Sequence, residues 1–79
     1  MINREQLRAA RGWLGLSQAS LAKTSKVALQ TIKNFERGAS VPYERTLRDI
    51  QKTLEDLGIE FVFDSEEGVG IKKKRRSRR

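Results

Sequence analysis

The chain has 79 residues, which is room for one domain with a modest hydrophobic core. It contains no cysteine and no histidine, which excludes a disulfide framework, a thiolate metal site and the commonest general base. No apolar stretch is long enough for a membrane span or the core of a signal peptide. We therefore expect a cytoplasmic binding protein that is not an enzyme and holds no cofactor or metal.

The net charge of +7 is divided into three blocks. Residues 1–43 carry seven basic and two acidic side chains, whereas residues 44–71 carry three basic and eight acidic ones. Residues 72–79 carry seven basic side chains and no acidic one. A basic front, an acidic middle and a basic tail predict two separate surfaces that face a polyanion.

The first helix is predicted to start after Asn3, whose side chain can cap the first turn while Gln6 returns the hydrogen bond. Gly15 is the expected end of this helix, because glycine readily adopts the left-handed conformation of a C-cap. The apolar residues on the inner face are Leu7, Ala10 and Leu14.

Two further helices are predicted in the next part of the chain. Ser17 caps a short second helix, which residues 24–26 should stop because they are poor helix formers. A third helix is expected from about Ala28 to Arg37, and Gly38 ends it.

The remaining sequence changes from helical to strand periodicity. A fourth helix is expected over residues 42–57, with proline in its first turn. Residues 59–63 are predicted to form a strand, residues 64–68 a turn, and residues 69–71 a second strand. Residues 72–79 are too highly charged to pack and are expected to be disordered when unbound.

Apolar spacing also predicts which side chains form the core. Trp13 lies beside the apolar stripe of the first helix, and we interpret it as partly buried packing rather than a group that stacks on a base or a partner. The expected core residues are Leu7, Leu14, Leu21, Val27, Ile32, Phe35, Leu47, Ile50 and Leu54.

A specific combination of residues spans the second and third helices. Its parts are Leu16-Ser17-Gln18, Leu21-Ala22, Val27, Thr31-Ile32 and Phe35-Glu36-Arg37-Gly38. At these spacings the sequence resembles the Cro/C1-type helix-turn-helix family of phage repressors and bacterial regulators. The resemblance implies a mainly α fold. It would comprise a compact four-helix repressor-like domain over residues 1–58 with the motif at 17–37, then a short strand or hairpin over 59–71 and a disordered basic tail.

The resemblance implies that this protein binds double-stranded DNA through the third helix, which would lie in the major groove. Lys33 and Arg37 could reach guanine or phosphate, and the Gln30 and Asn34 amides suit the N6/N7 edge of adenine. The expected base-contact residues are Leu29, Gln30, Lys33 and Asn34. Around the motif, the expected phosphate contacts are Ser17, Gln18, Ala28 and Arg37. Arg11 and Glu36 match a family pair that ties the first helix to the third, and we interpret them as structural.

Three positions depart from the family pattern. Lys26 stands where glycine is usual, so a non-glycine residue must accept a strained backbone or reshape the turn, at about 1 kcal/mol. Ala28 replaces a capping Ser or Thr, which leaves a backbone donor free or bonded to a phosphate. Leu29 cannot form a side-chain hydrogen bond and can touch only a thymine methyl or another apolar surface.

The C-terminal segments leave alternatives open. The strand could fold back on the fourth helix, or it could pair with a second copy in a homodimer through Ile59, Phe61 and Phe63. The basic tail could add phosphate contacts or serve only solubility. The tail residues expected to contact phosphate are Lys72, Lys73, Lys74, Arg75 and Arg76.

The function that best fits these features is a DNA-binding transcriptional regulator, acting as a dimeric repressor on an operator. An alternative is an antitoxin-like module that holds a partner protein through the acidic fourth helix and the hairpin. RNA binding fits the basic tail but not the motif, since A-form RNA has a major groove too narrow for a helix. An enzyme has the least support, because no His, Cys or pair of carboxylates is placed for catalysis.

Overall fold

The computed structural model describes residues 1–74, which form four helices and an antiparallel hairpin. The elements are α1 Arg4–Leu14, α2 Gln18–Ser25, α3 Leu29–Glu36, α4 Glu44–Asp56, β1 Ile59–Asp64 and β2 Glu67–Lys73. The predicted mainly α fold with a C-terminal hairpin is confirmed. Within residues 1–74, no helix is both long enough and apolar enough to cross a membrane.

The ends of α1 match their sequence signals. Asn3 Oδ1 accepts a hydrogen bond from the backbone N–H of Gln6 at 2.8 Å, and Gln6 Oε1 accepts one from the backbone N–H of Asn3 at 3.0 Å. This reciprocal capping satisfies two backbone donors that the helix itself leaves free. Gly15 closes the helix in the left-handed conformation, with φ of 64°.

The second helix runs further than its sequence predicted. Ser17 caps it through a 3.0 Å bond from the backbone N–H of Ser20, as expected. The prediction that residues 24–26 stop the helix is wrong for Thr24 and Ser25, because α2 continues through Ser25. The Ser25 hydroxyl donates to the carbonyl of Leu21 at 2.7 Å, so its polar group is satisfied inside the helix.

The fourth helix is shorter than predicted at both ends. It begins at Glu44, so Pro42 lies before the helix rather than in its first turn. Proline fits there because it disfavours the helical conformation of the residue before it, Val41, which lies outside the helix. Leu47 and Leu54 are buried, whereas Leu57 follows the helix and is exposed.

The hairpin is longer than the sequence indicated. Its strands pair from Ile59 opposite Lys73 to Asp64 opposite Glu67, with a bulge beside Val62 and Phe63. The prediction of disorder from residue 72 onward is therefore wrong for Lys72 and Lys73, since both are paired across the hairpin. The expected contacts of Arg75 and Arg76 lie outside the described residues.

The core includes residues from both the helices and the hairpin. Of the nine predicted core residues, Leu14 and Val27 are partly buried against the core and the other seven are buried. Ile59 is fully buried and Phe61 is 7% exposed, so these two side chains are occupied within the chain. Of the two alternatives for this strand, the structure has β1 folded back onto the core of its own chain, and a dimer contact through the strand stays a prediction. The predicted packing of Trp13 is also wrong, because that ring is 61% exposed.

Two polar residues of α1 attach the hairpin to the helices. Gln6 is 3% exposed, and its amide donates to the carbonyls of Val62 and Gly70, each at 3.0 Å. The Asn3 amide donates to the carbonyl of Gly68 at 2.9 Å. A Cβ at Gly68 would overlap the side chains of Gln6 and Asn3, so glycine permits this close approach.

Candidate nucleic-acid interface

A tight turn joins α2 to α3. Only residues 26–28 separate the two helices. Lys26 adopts the left-handed conformation with φ of 62°, so of the two alternatives at this position it accepts the strained backbone. The backbone N–H groups of Lys26 and Val27 both bond the carbonyl of Ala22, which closes the end of α2. Val27 packs against the core and anchors the turn.

The third helix has one buried and one open face. Ile32, Phe35 and Glu36 are buried, and they hold α3 to the rest of the domain. The four predicted base-contact residues share the open side, where Asn34 is partly exposed and the other three are exposed. These residues are Leu29, Gln30, Lys33 and Asn34.

Hydrogen bonds link three polar side chains along this open face. Gln30 Nε2 donates to Asn34 Oδ1 at 3.1 Å. Arg37 Nη2 donates to the same Asn34 oxygen at 3.0 Å. Arg37 is the C-cap of α3, so the three side chains run along most of the helix. We call Gln30, Asn34 and Arg37 the outer hydrogen-bonded row.

Behind the open face, Glu36 joins three helices. Its carboxylate accepts from Arg11 Nε at 2.6 Å and from Arg11 Nη2 at 2.7 Å, which is a two-point ion pair between α1 and α3. Gln18 of α2 donates to the same carboxylate at 3.1 Å. The hydrogen bonds to Glu36 raise the pKa of Arg11, so this guanidinium stays charged. We call Arg11, Gln18 and Glu36 the Glu36 cluster.

Sequence reasoning missed one residue that adds to this connection. Arg8 Nη1 donates to the backbone carbonyl of Glu36 at 3.2 Å, near the end of α3. A cation at that end also interacts favourably with the helix dipole. The spacing of Arg4, Arg8 and Arg11 at i, i+4 and i+7 places them on one face of α1, and this was the available signal.

The predicted phosphate contacts of the motif surround the start of the two helices. Ser17 is exposed and is engaged in capping through its hydroxyl. One N–H of the Gln18 amide is directed to Glu36, and neither its second N–H nor its carbonyl oxygen has a partner among residues 1–74. Ala28 makes no side-chain cap, so the first backbone N–H groups of α3 keep their hydrogen-bonding capacity.

The basic residues of the hairpin occupy a different part of the fold. Lys72 Nζ lies 3.9 Å from a carboxylate oxygen of Glu60, and Lys74 Nζ lies 3.4 Å from the carbonyl of Glu55. Lys72, Lys73 and Lys74 all lie at the end of β2, beside the C-terminal end of α4. These lysines therefore do not belong to the set of side chains that α2 and α3 bring together.

The loop between α3 and α4 contains a second feature that sequence reasoning missed. Val41 is 76% exposed and Tyr43 is 87% exposed, although both have apolar surface. They border a concavity of about 340 Å³ that reaches Thr31 and Asn34 on α3. Because these loop residues follow no periodic pattern, their position beside the open face was not visible in the sequence.

The comparisons with known proteins add one match. A family model described as helix-turn-helix matches residues 7–61, which is more than half of the chain. The matched range includes most of α1, all of α2, α3 and α4, and the start of β1. No curated protein sequence matches the chain.

Proposed function

This chain belongs to the Cro/C1-type helix-turn-helix family, and from that premise we propose that it is a repressor that occupies an operator as a dimer. Family membership makes it a sequence-specific DNA-binding protein that regulates transcription. The observation that carries the proposal is the open face of α3, where polar and apolar side chains are exposed or partly exposed while the opposite face is held in the core. Its place of action would be the cytoplasm, where the operator is.

Base reading is assigned to four side chains of α3. The Gln30 and Asn34 amides offer hydrogen bonds to base edges, and Lys33 offers a donor to guanine O6 or N7. Leu29 is 37% exposed and offers an apolar contact to a thymine methyl. A rigid helix that presents these groups together suits the wide major groove of B-form DNA.

Phosphate contacts would fix the position of α3 on the duplex. The free backbone N–H groups after Ala28 lie at the positive end of the helix dipole, which favours an anion. Ser17 and Gln18 lie at the start of α2, and Arg37 supplies a positive charge at the far end of α3. Such contacts position a protein on DNA but carry no sequence information directly.

Dimerisation is proposed because helix-turn-helix proteins read two half-sites about one DNA turn apart. Since Ile59 and Phe61 are occupied in the core, the contact would use the outer edge of the hairpin, where each strand has only one neighbour among residues 1–74. An open strand edge can pair with the same edge of a second copy. Phe63 is partly buried and would lie at the margin of such a contact.

The basic segment that starts at Lys72 would add phosphate contacts outside the motif. Lys72, Lys73 and Lys74 are exposed, and the sequence continues with Arg75 and Arg76. Each neutralised phosphate makes the slope of log affinity against log salt concentration more negative by about 0.9. The segment would therefore raise affinity for any sequence and make binding sensitive to salt.

The test is selection of duplexes from a random pool near physiological salt, with excess nonspecific competitor. We expect wild type to recover a two-fold symmetric site and Gln30→Ala/Asn34→Ala to retain only nonspecific, salt-sensitive binding. Gln51→Ala removes an amide from α4 and should select the same site as wild type. If no sequence emerges and all proteins bind alike, the assignment of α3 as the reader is wrong.

Two further measurements test the regulatory part of the proposal. A reporter promoter that contains the selected site should fall in activity when the protein is expressed; a rise would indicate an activator. Sedimentation should detect two protein chains on the symmetric duplex. One chain per duplex, together with a monomer at high micromolar concentration, would contradict the dimer.

A concave surface along α4 favours a second candidate function, an antitoxin-like module that holds a partner protein. The concavity has a volume of about 950 Å³ and lies between α4 and the hairpin. The charged residues that line it are Glu44, Arg48, Lys52, Glu55, Asp56, Glu66 and Lys74. If an adjacent reading frame encodes a toxic protein, co-expression should relieve its growth arrest, and Lys52→Glu should weaken that relief. Continued arrest on co-expression would refute this candidate.

A further inference from the structure

Arg37 determines which amide atoms donate and which accept in the outer hydrogen-bonded row. A guanidinium only donates hydrogen bonds, so the Asn34 atom that faces Arg37 at 3.0 Å must be the carbonyl oxygen Oδ1. Gln30 approaches the same oxygen at 3.1 Å and must therefore present its amide nitrogen Nε2. One cation thus orients both amides on the open face of α3.

This polarity gives the two amides different hydrogen-bonding capacities. An amide oxygen has two lone pairs, and both of those on Asn34 Oδ1 are engaged. Asn34 keeps only the two donors on Nδ2. Gln30 keeps its oxygen and one N–H, because neither has another hydrogen bond within residues 1–74.

Reading adenine in the major groove needs an acceptor and a donor together, for the N6 amino group and for N7. Gln30 still offers both, whereas Asn34 offers only donors. Building on the proposed base contacts, we propose that Gln30 is the adenine reader of this helix and that Asn34 and Arg37 are positioning residues that hold its amide. Asn34 then contributes to specificity through Gln30 and not through an adenine of its own.

Positions and burial support this division of roles. Residues 30, 34 and 37 lie at i, i+4 and i+7, so the three side chains form one row on the helix. Gln30 and Arg37 are exposed at the two ends of the row, while Asn34 between them is only partly exposed. A side chain fixed before binding loses less conformational entropy when it meets the base.

The experiment measures relative affinities for duplexes that carry each of the four base pairs at every position of the selected half-site. The base pair at which Gln30→Ala removes the preference for adenine is defined as the Gln30 position. The preference there should be about 5- to 150-fold in wild type, from a discrimination of about 1–3 kcal/mol for one two-point contact. All variants are compared under one salt condition, because phosphate contacts depend on salt.

Asn34→Ala should reduce the preference at the Gln30 position by at least about twofold, because residues in one hydrogen-bond network are coupled. For the same reason, Gln30→Ala/Asn34→Ala should lose no more at that position than Gln30→Ala alone. Arg37→Ala should also reduce that preference. Lys23→Ala removes one exposed positive charge from α2 and should leave the preference intact, whatever it does to overall affinity.

Asn34→Asp provides the conservative rescue. The carboxylate keeps an acceptor for Arg37 and Gln30, so the adenine preference at the Gln30 position should stay within about twofold of wild type. Affinity for all duplexes should fall by a common factor, because the new charge repels phosphate. An Asn34 that read adenine itself would behave differently, since Asp accepts from cytosine N4 and would shift the preference at a second base pair.

The proposal is overturned if Gln30→Ala changes the preference at no base pair. It is also overturned if Asn34→Ala changes the preference at another base pair while the Gln30 position is unaffected. Failure of the dimeric repressor proposal has a different signature, namely a single asymmetric half-site or no repression of a reporter. The base preferences can still be measured on a half-site duplex, so the two results are separable.

Discussion

Removal of the Glu36 carboxylate should destabilise the fold far more than removal of an exposed carboxylate. In Glu36→Ala, Arg11 loses both of its bonds to the carboxylate, at 2.6 and 2.7 Å, and Gln18 loses one at 3.1 Å. Breaking a buried ion pair costs about 3–5 kcal/mol, because the remaining charge is left without a partner. The Arg11 side chain is 22% exposed, so water offsets part of this cost and we expect about 3 kcal/mol.

The expected loss is large for a domain of this size, whose total stability should be about 4–12 kcal/mol. Urea unfolding followed by circular dichroism measures it directly. With an m-value of about 1 kcal/mol/M, the midpoint should fall by about 3 M. The matched control is Glu44→Ala, which breaks a 2.8 Å pair with Arg48 in which both side chains are more than 60% exposed. That control should lose less than about 1 kcal/mol.

A second comparison separates the ion pair from the packing around it. Replacement of both charges, in Arg11→Met/Glu36→Leu, removes the unpaired charge and should recover most of the loss of Glu36→Ala. The reasoning is refuted if Glu36→Ala loses no more stability than Glu44→Ala. It is also refuted if the double replacement is as unstable as the single one, because packing rather than charge would then decide.

Three further perturbations test other parts of the fold and interface. In urea unfolding, Lys26→Gly should raise the free energy of unfolding by about 1 kcal/mol, because glycine accepts the left-handed conformation at φ of 62°. As a control, Lys23→Gly within α2 should lower the free energy of unfolding by about as much. A lower free energy of unfolding for Lys26→Gly would contradict this reasoning. Gly68→Ala should lower the free energy of unfolding by about 1–3 kcal/mol, because its Cβ would displace the side chains of Gln6 and Asn3. The Cβ of Gly70→Ala would meet no atom within 4 Å, so that variant should be nearly neutral. Equal effects of the two variants would exclude the contact of Gly68 with Gln6 and Asn3 as the cause. Removal of residues 75–79, which carry four arginines, should reduce the slope of log affinity against log salt concentration by about two to four, and an unchanged slope would show that they do not contact DNA.

Local signals in the sequence predicted both ends of α1 and the start of α2. Each of these helix ends is set by residues next to it: Asn3 and Gln6 cap the start of α1, Gly15 ends it, and Ser17 caps the start of α2. At Lys26 the motif indicated either a strained backbone or a reshaped turn, and the structure has the left-handed conformation. Such features depend on neighbouring residues, so no knowledge of the tertiary fold is needed to find them.

Long-range polar contacts could not be predicted in the same way. Gln6 was recognised only as a capping residue, although its amide also holds two hairpin carbonyls 56 and 64 residues away. Trp13 was assigned to packing because it lies beside the apolar stripe of α1, but it is 61% exposed. The two donors to Asn34 Oδ1 lie within seven residues, yet their polarity became clear only from the position of Arg37.

The first helix connects the hairpin to the helix that faces DNA. Near its start, Asn3 and Gln6 bind backbone carbonyls of the hairpin, and further along, Arg8 and Arg11 bind Glu36 of α3. Ile59 of β1 is fully buried among the helices, which contributes about 1.5–3 kcal/mol for one such side chain. The hairpin therefore belongs to the same folding unit as the motif. Because α1 holds both parts, the position of α3 depends on the integrity of the whole chain rather than on the motif alone.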